Sequence, residues 1–423
     1  MEPIDDELKK GLASGPLTRN GFSDTLKKRI GERLDEQDNT PRKWLPWLGG
    51  ISAVLVAAAV FLSVDWHSML EQGPAGVLRD KNGALEAWIP PFSGTGEENV
   101  SIHSAVLIGL RTDHPQEGGA EYSTYRTLLL AGDQGELQKV AEGDGILMPY
   151  KTDFMKIVPQ SLVSSGEESR VLSASLASEL SKARKLDPKP AGPLALSEKL
   201  LFAGNRYLSV AQTVRQTVQG KETRHEYVWV KELQDIAQNK ARTPLAPASE
   251  PHVSMKTLYG SSIQSRLQLL NASKQSSGGS AASAPIDDTG DSWTIVRKQG
   301  QWVPQLASYN NRTDGNMYRY LLQDVPITLP DSVVSYDRLS TDWSEIRRIR
   351  PDAKDAFSSP NNELLGVVTD SDITVYPSEG QIARKPLMTL SLAPNESVVM
   401  LQWAVNEPFI EMWKDKGKKL LGY

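Results

Sequence analysis

The chain has 423 residues, with 47 lysines and arginines against 52 aspartates and glutamates, for a net charge of −5. It contains no cysteine, which excludes structural disulfides, thiolate chemistry and cysteine-ligated zinc. Mild acidity without a basic cluster also argues against a nucleic-acid partner.

Residues 1–43 carry nine basic and nine acidic side chains, so the excess acid lies further along. Ile4, Leu8 and Leu12 recur at helical spacing, with Asp5, Asp6 and Glu7 at the favourable end. Gly15-Pro16 breaks that helix. Phe22, Leu26, Ile30 and Leu34 form a second stripe, with Ser23 or Asp24 placed to cap it and Lys27, Lys28, Arg29 and Arg33 around it. Helices this short are marginal alone in water. Three states are therefore expected for the tail. It is a weakly ordered tether, a helix docked in a partner's groove through Phe22, Leu26, Ile30 and Leu34, or an amphipathic helix on the inner leaflet.

Leu45 to Val64 holds no charge. At a rise of about 1.5 Å per residue it spans the roughly 30 Å of a bilayer core. Trp44 and Trp47 flank one end and Trp66 the other, where amphipathic rings favour the interface. Arg42 and Lys43 precede the span and Asp65 follows it, so residues 1–43 are expected in the cytoplasm. No small-x-small cleavage site follows the apolar run, and the segment before it is too long for a signal-peptide n-region. Residues 44–66 are thus expected to form one retained transmembrane helix, with 67–423 as an extracytoplasmic domain.

From Ala75 onward, short alternating apolar runs are separated by Gly, Asp, Asn and Ser turns, the pattern of an all-β body built from hairpins. Strand–turn–strand segments are read at Val77–Ile89, Leu128–Val140, Gly145–Val158, Leu200–Val214 and Trp293–Leu306. Two helical excursions are expected, at Glu167–Leu186 and Asp342–Arg350. Residues 271–291, rich in Ser, Gly and Ala, are expected to be a flexible loop.

Two further stretches are more specific. In Phe357–Tyr376, Ser359-Pro360-Asn361-Asn362 makes a tight turn, Leu364–Val368 is continuously apolar, Asp370-Ser371-Asp372 turns again, and Ile373, Val375 and Tyr376 return. Val398–Trp413 repeats the order apolar strand, Trp403, polar turn, apolar strand. The first stretch resembles a β-propeller blade of the WD-repeat or Tol-associated kind. It departs from that pattern in having Asn-Asn where a blade turn has Asp-Gly, and no Trp-Asp closes it. At about 40–50 residues per blade, the resemblance implies seven or so blades on 350 residues. A pair of irregular β-sandwiches is the alternative architecture.

Little in the chain points to catalysis. His67, His103, His114, His225 and His252 show no metal-ligand spacing. No Gly-x-Ser-x-Gly elbow, Ser-x-x-Lys or Walker-type loop occurs. Asp288-Thr289-Gly290 has the aspartic-protease triplet, but in one copy flanked by Asp287 and Asp291. Asp370-Ser371-Asp372 reads as a turn rather than a metal site. Trp88, Tyr122, Tyr125, Tyr150, Phe154 and Tyr309 are candidates for a sugar- or peptide-binding face, competing with roles in the core. No enzyme activity, metal or cofactor is expected.

Short cytoplasmic helices, one span and an outer domain resemble the layout of bacterial membrane-bound anti-sigma factors. The tail lacks the His-x-x-x-Cys-x-x-Cys that some of them carry. The resemblance implies a signal-transducing sensor with a cytoplasmic protein partner and an unidentified outer ligand. A cell-envelope assembly scaffold and a propeller-fold hydrolase are the alternatives.

Overall fold

Hairpins build the domain, and the turn chemistry of the sequence explains two of them directly. In the computed structural model, β2 (Tyr122–Asp133) and β3 (Glu136–Asp144) are joined by Gln134-Gly135, and β10 (Trp293–Lys298) and β11 (Gln301–Tyr309) by Gln299-Gly300. All four linking residues have positive φ, the primed turn whose twist matches that of the flanking strands. The structure describes residues 101–422 except 116–120, 165–166, 183–193, 219–220, 238–250, 277–289, 310–316, 379–381 and 383–384. The tail stripe Phe22, Leu26, Ile30 and Leu34, the apolar span, Val77–Ile89, Trp88 and His67 all lie outside the described residues. Among the described residues, no helix is long and apolar enough to cross a membrane.

The fold is mainly β, with four sheets in a four-bladed, propeller-like arrangement. The first sheet has the order β18-β1-β2-β3, where β1 is Ala105–His114 and β18 is Glu396–Ala404. The largest joins two antiparallel meanders. One comprises β4 (Ile146–Tyr150), β5 (Asp153–Ser164) and β6 (Glu167–Leu176); the other β7 (Leu194–Ala203), β8 (Tyr207–Val218) and β9 (Lys221–Glu232). They meet through one parallel register pair, Arg170↔Ser197. The short β12 (Met317–Tyr318) adds to the β9 edge. The third sheet is β10-β11-β13, with β13 at Tyr320–Asp324. The fourth runs β14 (Asp355–Ser358), β15 (Leu364–Val368), β16 (Asp372–Pro377) and β17 (Met388–Ser391).

Neighbouring sheets close on one another. The last strand, β18, pairs with the first, from Ala105↔Ala404 to Thr112↔Glu396. Val106, Ile108 and Leu128 of that sheet pack against Phe357, Leu364 and Ile373 of the fourth. The fourth sheet is tied to the third by Arg297, whose guanidinium pairs with Asp355, donates to the Ala356 carbonyl and lies 5.0 Å from the Trp302 ring centre. Phe202, Tyr207 and Val230 pack on Trp293, Ile295 and Trp302 to join the second and third sheets. A large core, with Leu107, Leu129, Phe154, Leu200, Val210 and Met400, joins the second sheet to the first.

Several expectations are corrected. The count of seven blades falls to four sheets because the strands are long. Seven of them, β1, β2 and β5 to β9, have 10 to 12 residues, about twice the common strand length. The part of Glu167–Leu186 that is described, residues 167–182, is mostly strand. Glu167–Leu176 is β6, paired with β5 from Met155↔Leu176 to Ser164↔Glu167, and Ala177–Lys182 is a 3₁₀ helix, with residues 183–186 outside the described residues. The helical-looking stripe arose because β6 is buried on both faces, with Val171 and Leu172 in different clusters. The second half of Val398–Trp413 is not a strand. It belongs to a helix, Glu407–Leu421, with Pro408 in its first turn and Ile410, Trp413 and Gly417 buried. Trp413 meets the Phe154 ring at 6.1 Å. Asn271–Ser276 closes the helix Gln264–Ser276 rather than opening a loop. Residues 277–289, with Asp288 and Thr289, lie outside the described residues. The helix expected at Asp342–Arg350 is present as Trp343–Ile349, with Asp342 in the N-cap position.

Candidate functional site

Alternation along β7 and β8 assembles a polar face. Ser197 and Lys199 on β7, Ala211, Thr213 and Arg215 on β8, and Arg224 on β9 point the same way and line a small cleft. The start of β2, Glu121-Tyr122-Ser123, forms its opposite wall. The enclosed space is about 60 Å³, room for a few water molecules or a small ligand group.

Asp113 organises one end. Its Oδ1 accepts from Arg111 Nε at 2.9 Å and Ser123 Oγ at 2.7 Å, and its Oδ2 lies 2.8 Å from Lys199 Nζ. Arg111 also donates to the Leu200 carbonyl at 2.8 Å, tying β1 to β7. Burial alone pushes the Asp113 carboxyl up. Arg111, Lys199 and Ser123 together outweigh it and hold the group below its ordinary range. Lys199 is shared with Glu121 at 2.8 Å. Beneath this layer, the Tyr125 hydroxyl accepts from the Leu200 N–H at 3.0 Å, and burial pushes that phenol up to about 12.

Tyr122 gives the cleft an aromatic edge. The His114 ring stacks on it at 4.6 Å, and the Arg170 guanidinium sits 4.5 Å from its centre. Arg170 in turn pairs with Glu168 at 3.0 Å. On the other face of the same sheet, Glu198 Oε1 lies 3.3 Å from Lys231 Nζ, and its Oε2 accepts from the Leu172 N–H at 2.8 Å. That ion pair is wholly buried and locks β6, β7 and β9 together.

The expected site residues scatter. Of the aromatics, Tyr122 alone lines the cleft; Tyr125 and Phe154 are core, and Tyr150 and Tyr309 are half-buried elsewhere. Tyr309 belongs to a separate row in which Tyr227 stacks on His225 at 6.2 Å and on Trp229 at 5.8 Å. His103 lies 3.3 Å from Glu363, and His252 lies 3.7 Å from Asp291. Asp372 opens β16 and holds the turn before it. Its carboxylate accepts from Thr369, Ser371 and Thr374, at 3.0, 3.2 and 2.8 Å. Among the described residues, no group of three or more His, Cys, Asp or Glu is placed to hold a metal ion.

Sequence reasoning missed Lys199, Arg170, Arg215 and Arg224 because they come from four strands, β6 to β9, that no short window of the sequence brings together. A signal exists in Ala211-Gln-Thr-Val-Arg215, where small and charged residues alternate with Gln212 and Val214, which are buried. No protein-family model matches the chain, and no match is found among curated proteins. The geometry equips the cleft for charged and polar recognition.

Proposed function

We propose that the chain is a membrane-tethered binding protein whose β domain lies outside the cell and takes a polar ligand in the cleft lined by Lys199, Arg215 and Arg224. The observation that carries this reading is the pairing of a 20-residue uncharged stretch, Leu45–Val64, with a domain that holds a recess lined by charge and one stacked aromatic. The short amphipathic tail, with Phe22, Leu26, Ile30 and Leu34 on one stripe, supplies a means of reporting binding inward. In its finer form the reading is an anti-sigma-like regulator with a Tol-associated or WD-type propeller outside. The sequence supports that form through its layout and through the Phe357–Tyr376 segment.

Two measurements test it. Protease added to intact cells stripped of their wall should digest the β domain and leave a fragment of the size of the tail plus span. Full-length protein surviving that treatment would reverse the topology. A peptide of residues 1–43 used as bait should retain a sigma factor if the protein signals. An empty eluate moves the assignment to an envelope assembly scaffold.

A further inference from the structure

One pair of side chains in the cleft breaks a rule of sheet construction. Arg215 on β8 stands directly opposite Arg224 on β9. Directly opposed residues on antiparallel strands have Cβ atoms about 4.5–5.5 Å apart, and like charges there destabilise the sheet. Both arginines turn to the cleft. Arg224 reaches Glu226 at 3.0 Å, but its Nε is buried and has no hydrogen-bond partner. Arg215 forms no hydrogen bond or ion pair with any described residue and feels Glu168 only at longer range. The other cations here are answered: Arg111 and Lys199 by Asp113, Lys199 also by Glu121, and Arg170 by Glu168.

We propose that the Arg215–Arg224 pair is the receptor for a carboxylate, held between two guanidinium groups, with the Ser197 and Thr213 hydroxyls in the adjacent register row as further donors. The guanidinium fork matches a planar oxyanion in two-point contact. Charge decides between a carboxylate and a divalent phosphate. The cations Arg111, Arg170, Lys199, Arg215 and Arg224 are met by the carboxylates Asp113, Glu121, Glu168 and Glu226, and Glu222 stands two residues from Arg224 on the same face of β9, so the cleft carries no large positive excess and suits a singly charged carboxylate. The space of about 60 Å³ admits the carboxylate end of a ligand and leaves the remainder at the mouth, beside Tyr122 and Glu121. A free amino acid and the C-terminus of a peptide share this chemistry.

The inference rests on reading the β domain as a binding module, not on its membrane topology. Acetate, alanine, alanylalanine and inorganic phosphate are titrated into the full-length protein in detergent, by calorimetry and by thermal melting. The three carboxylates should bind, and phosphate at pH 8 should bind more weakly than acetate. Alanine above alanylalanine points to a free amino acid, and the reverse order to a peptide end. Arg215→Gln should weaken carboxylate binding roughly tenfold or more, as expected for loss of a charged hydrogen-bonding partner. The same variant should melt, without ligand, at or above the wild-type temperature, because it removes a repulsion. Three results would each overturn the proposal: no carboxylate binds, phosphate binds tighter than acetate, or Arg215→Gln binds normally. A ligand-free Arg215→Gln protein that melts well below wild type makes Arg215 structural and overturns it too. Absent carboxylate binding with the expected protease pattern removes this inference alone. Intact binding with reversed topology removes only the membrane reading.

Discussion

Removing the ammonium of Lys231 should destabilise the domain more than most single substitutions. Lys231 and Glu198 are only 3% and 2% exposed, and their charged atoms lie 3.3 Å apart. Lys231→Met nearly keeps the volume of the side chain but removes the ammonium that lies 3.3 Å from the buried Glu198 carboxylate. Breaking a buried ion pair from one side costs about 3–5 kcal/mol, since the remaining charge has lost its compensation. For a domain of this size a melting temperature moves by roughly 2 °C per kcal/mol, so a drop of roughly 6–10 °C is expected. Neutralising the partner should reverse most of it. In the double variant Lys231→Met with Glu198→Gln, the amide oxygen can still accept from the Leu172 N–H, which Glu198 now holds at 2.8 Å. Urea melts followed by tryptophan fluorescence separate the two effects, because a change in midpoint at constant slope reports stability alone. The reasoning is refuted if Lys231→Met lies within about 1 kcal/mol of wild type, or if the double variant is no more stable than the single.

Leu365 is fully buried while Trp403 is only partly so. Leu365→Ala should therefore cost about 2–5 kcal/mol, and Trp403→Ala less than the 3–5 kcal/mol typical of a buried aromatic, measured by the same melts. Gly366→Ala places a methyl group against the buried Phe357 ring, so a loss of about 1–3 kcal/mol is expected from overpacking. For Asp113, whose carboxyl is held below its unfolded value of 3.8, the stabilising contribution is complete above that value and disappears as pH falls through the folded value. Stability profiles taken from pH 6 down to pH 2 should fall less steeply for Asp113→Asn than for wild type. An unchanged acid slope would mean that Asp113 gains nothing from Arg111 and Lys199.

How much of this was legible in the sequence depends on how local the cause was. Hairpins such as Leu128–Val140 and Trp293–Leu306 announced themselves through alternation and a Gln-Gly turn, both contained in about a dozen residues. Residues 357–376 were readable for the same reason, down to the turn held by Asp372. The partial burial of Trp403 was not legible, because an apolar context does not reveal how much of a side chain its neighbours cover. Helix Glu407–Leu421 was misread at its start, although Pro408, the Ile410–Trp413–Gly417 spacing and the late Lys418-Lys419 are all helix signals. The apolar run Val398–Trp413 hid the switch from a period of two to one of 3.6. β6 failed in the opposite sense, since its pairing with β5 is a tertiary fact that no window of the sequence contains. The cleft was invisible for that reason in stronger form: Asp113, Lys199 and Arg224 are separated by the chain and brought together by register.

Register also explains why the cleft stands apart from the rest of the surface. The other cations around it each stand beside a carboxylate, on the same strand for Arg111 and Arg170 and across to the first sheet for Lys199. Arg206 with Glu232 and Lys298 with Asp324 show the same habit at other edges. Such exposed pairs contribute little each, so nothing in stability alone requires an exception. At Arg215 and Arg224 the exception occurs where a partner was cheaply available. Thr213, two residues from Arg215, stands opposite Glu226, and exchanging Thr213 and Arg215 would have placed an arginine directly against that carboxylate. A chain that breaks its own local rule at one pair, inside a polar recess, has left a repulsion in place that an incoming anion relieves. The sheet then supplies rigidity. Arg215 and Arg224 sit in mid-ladder between pairs running from Tyr207↔Glu232 to Val218↔Lys221, so the two guanidinium groups start from fixed backbone positions before any ligand arrives.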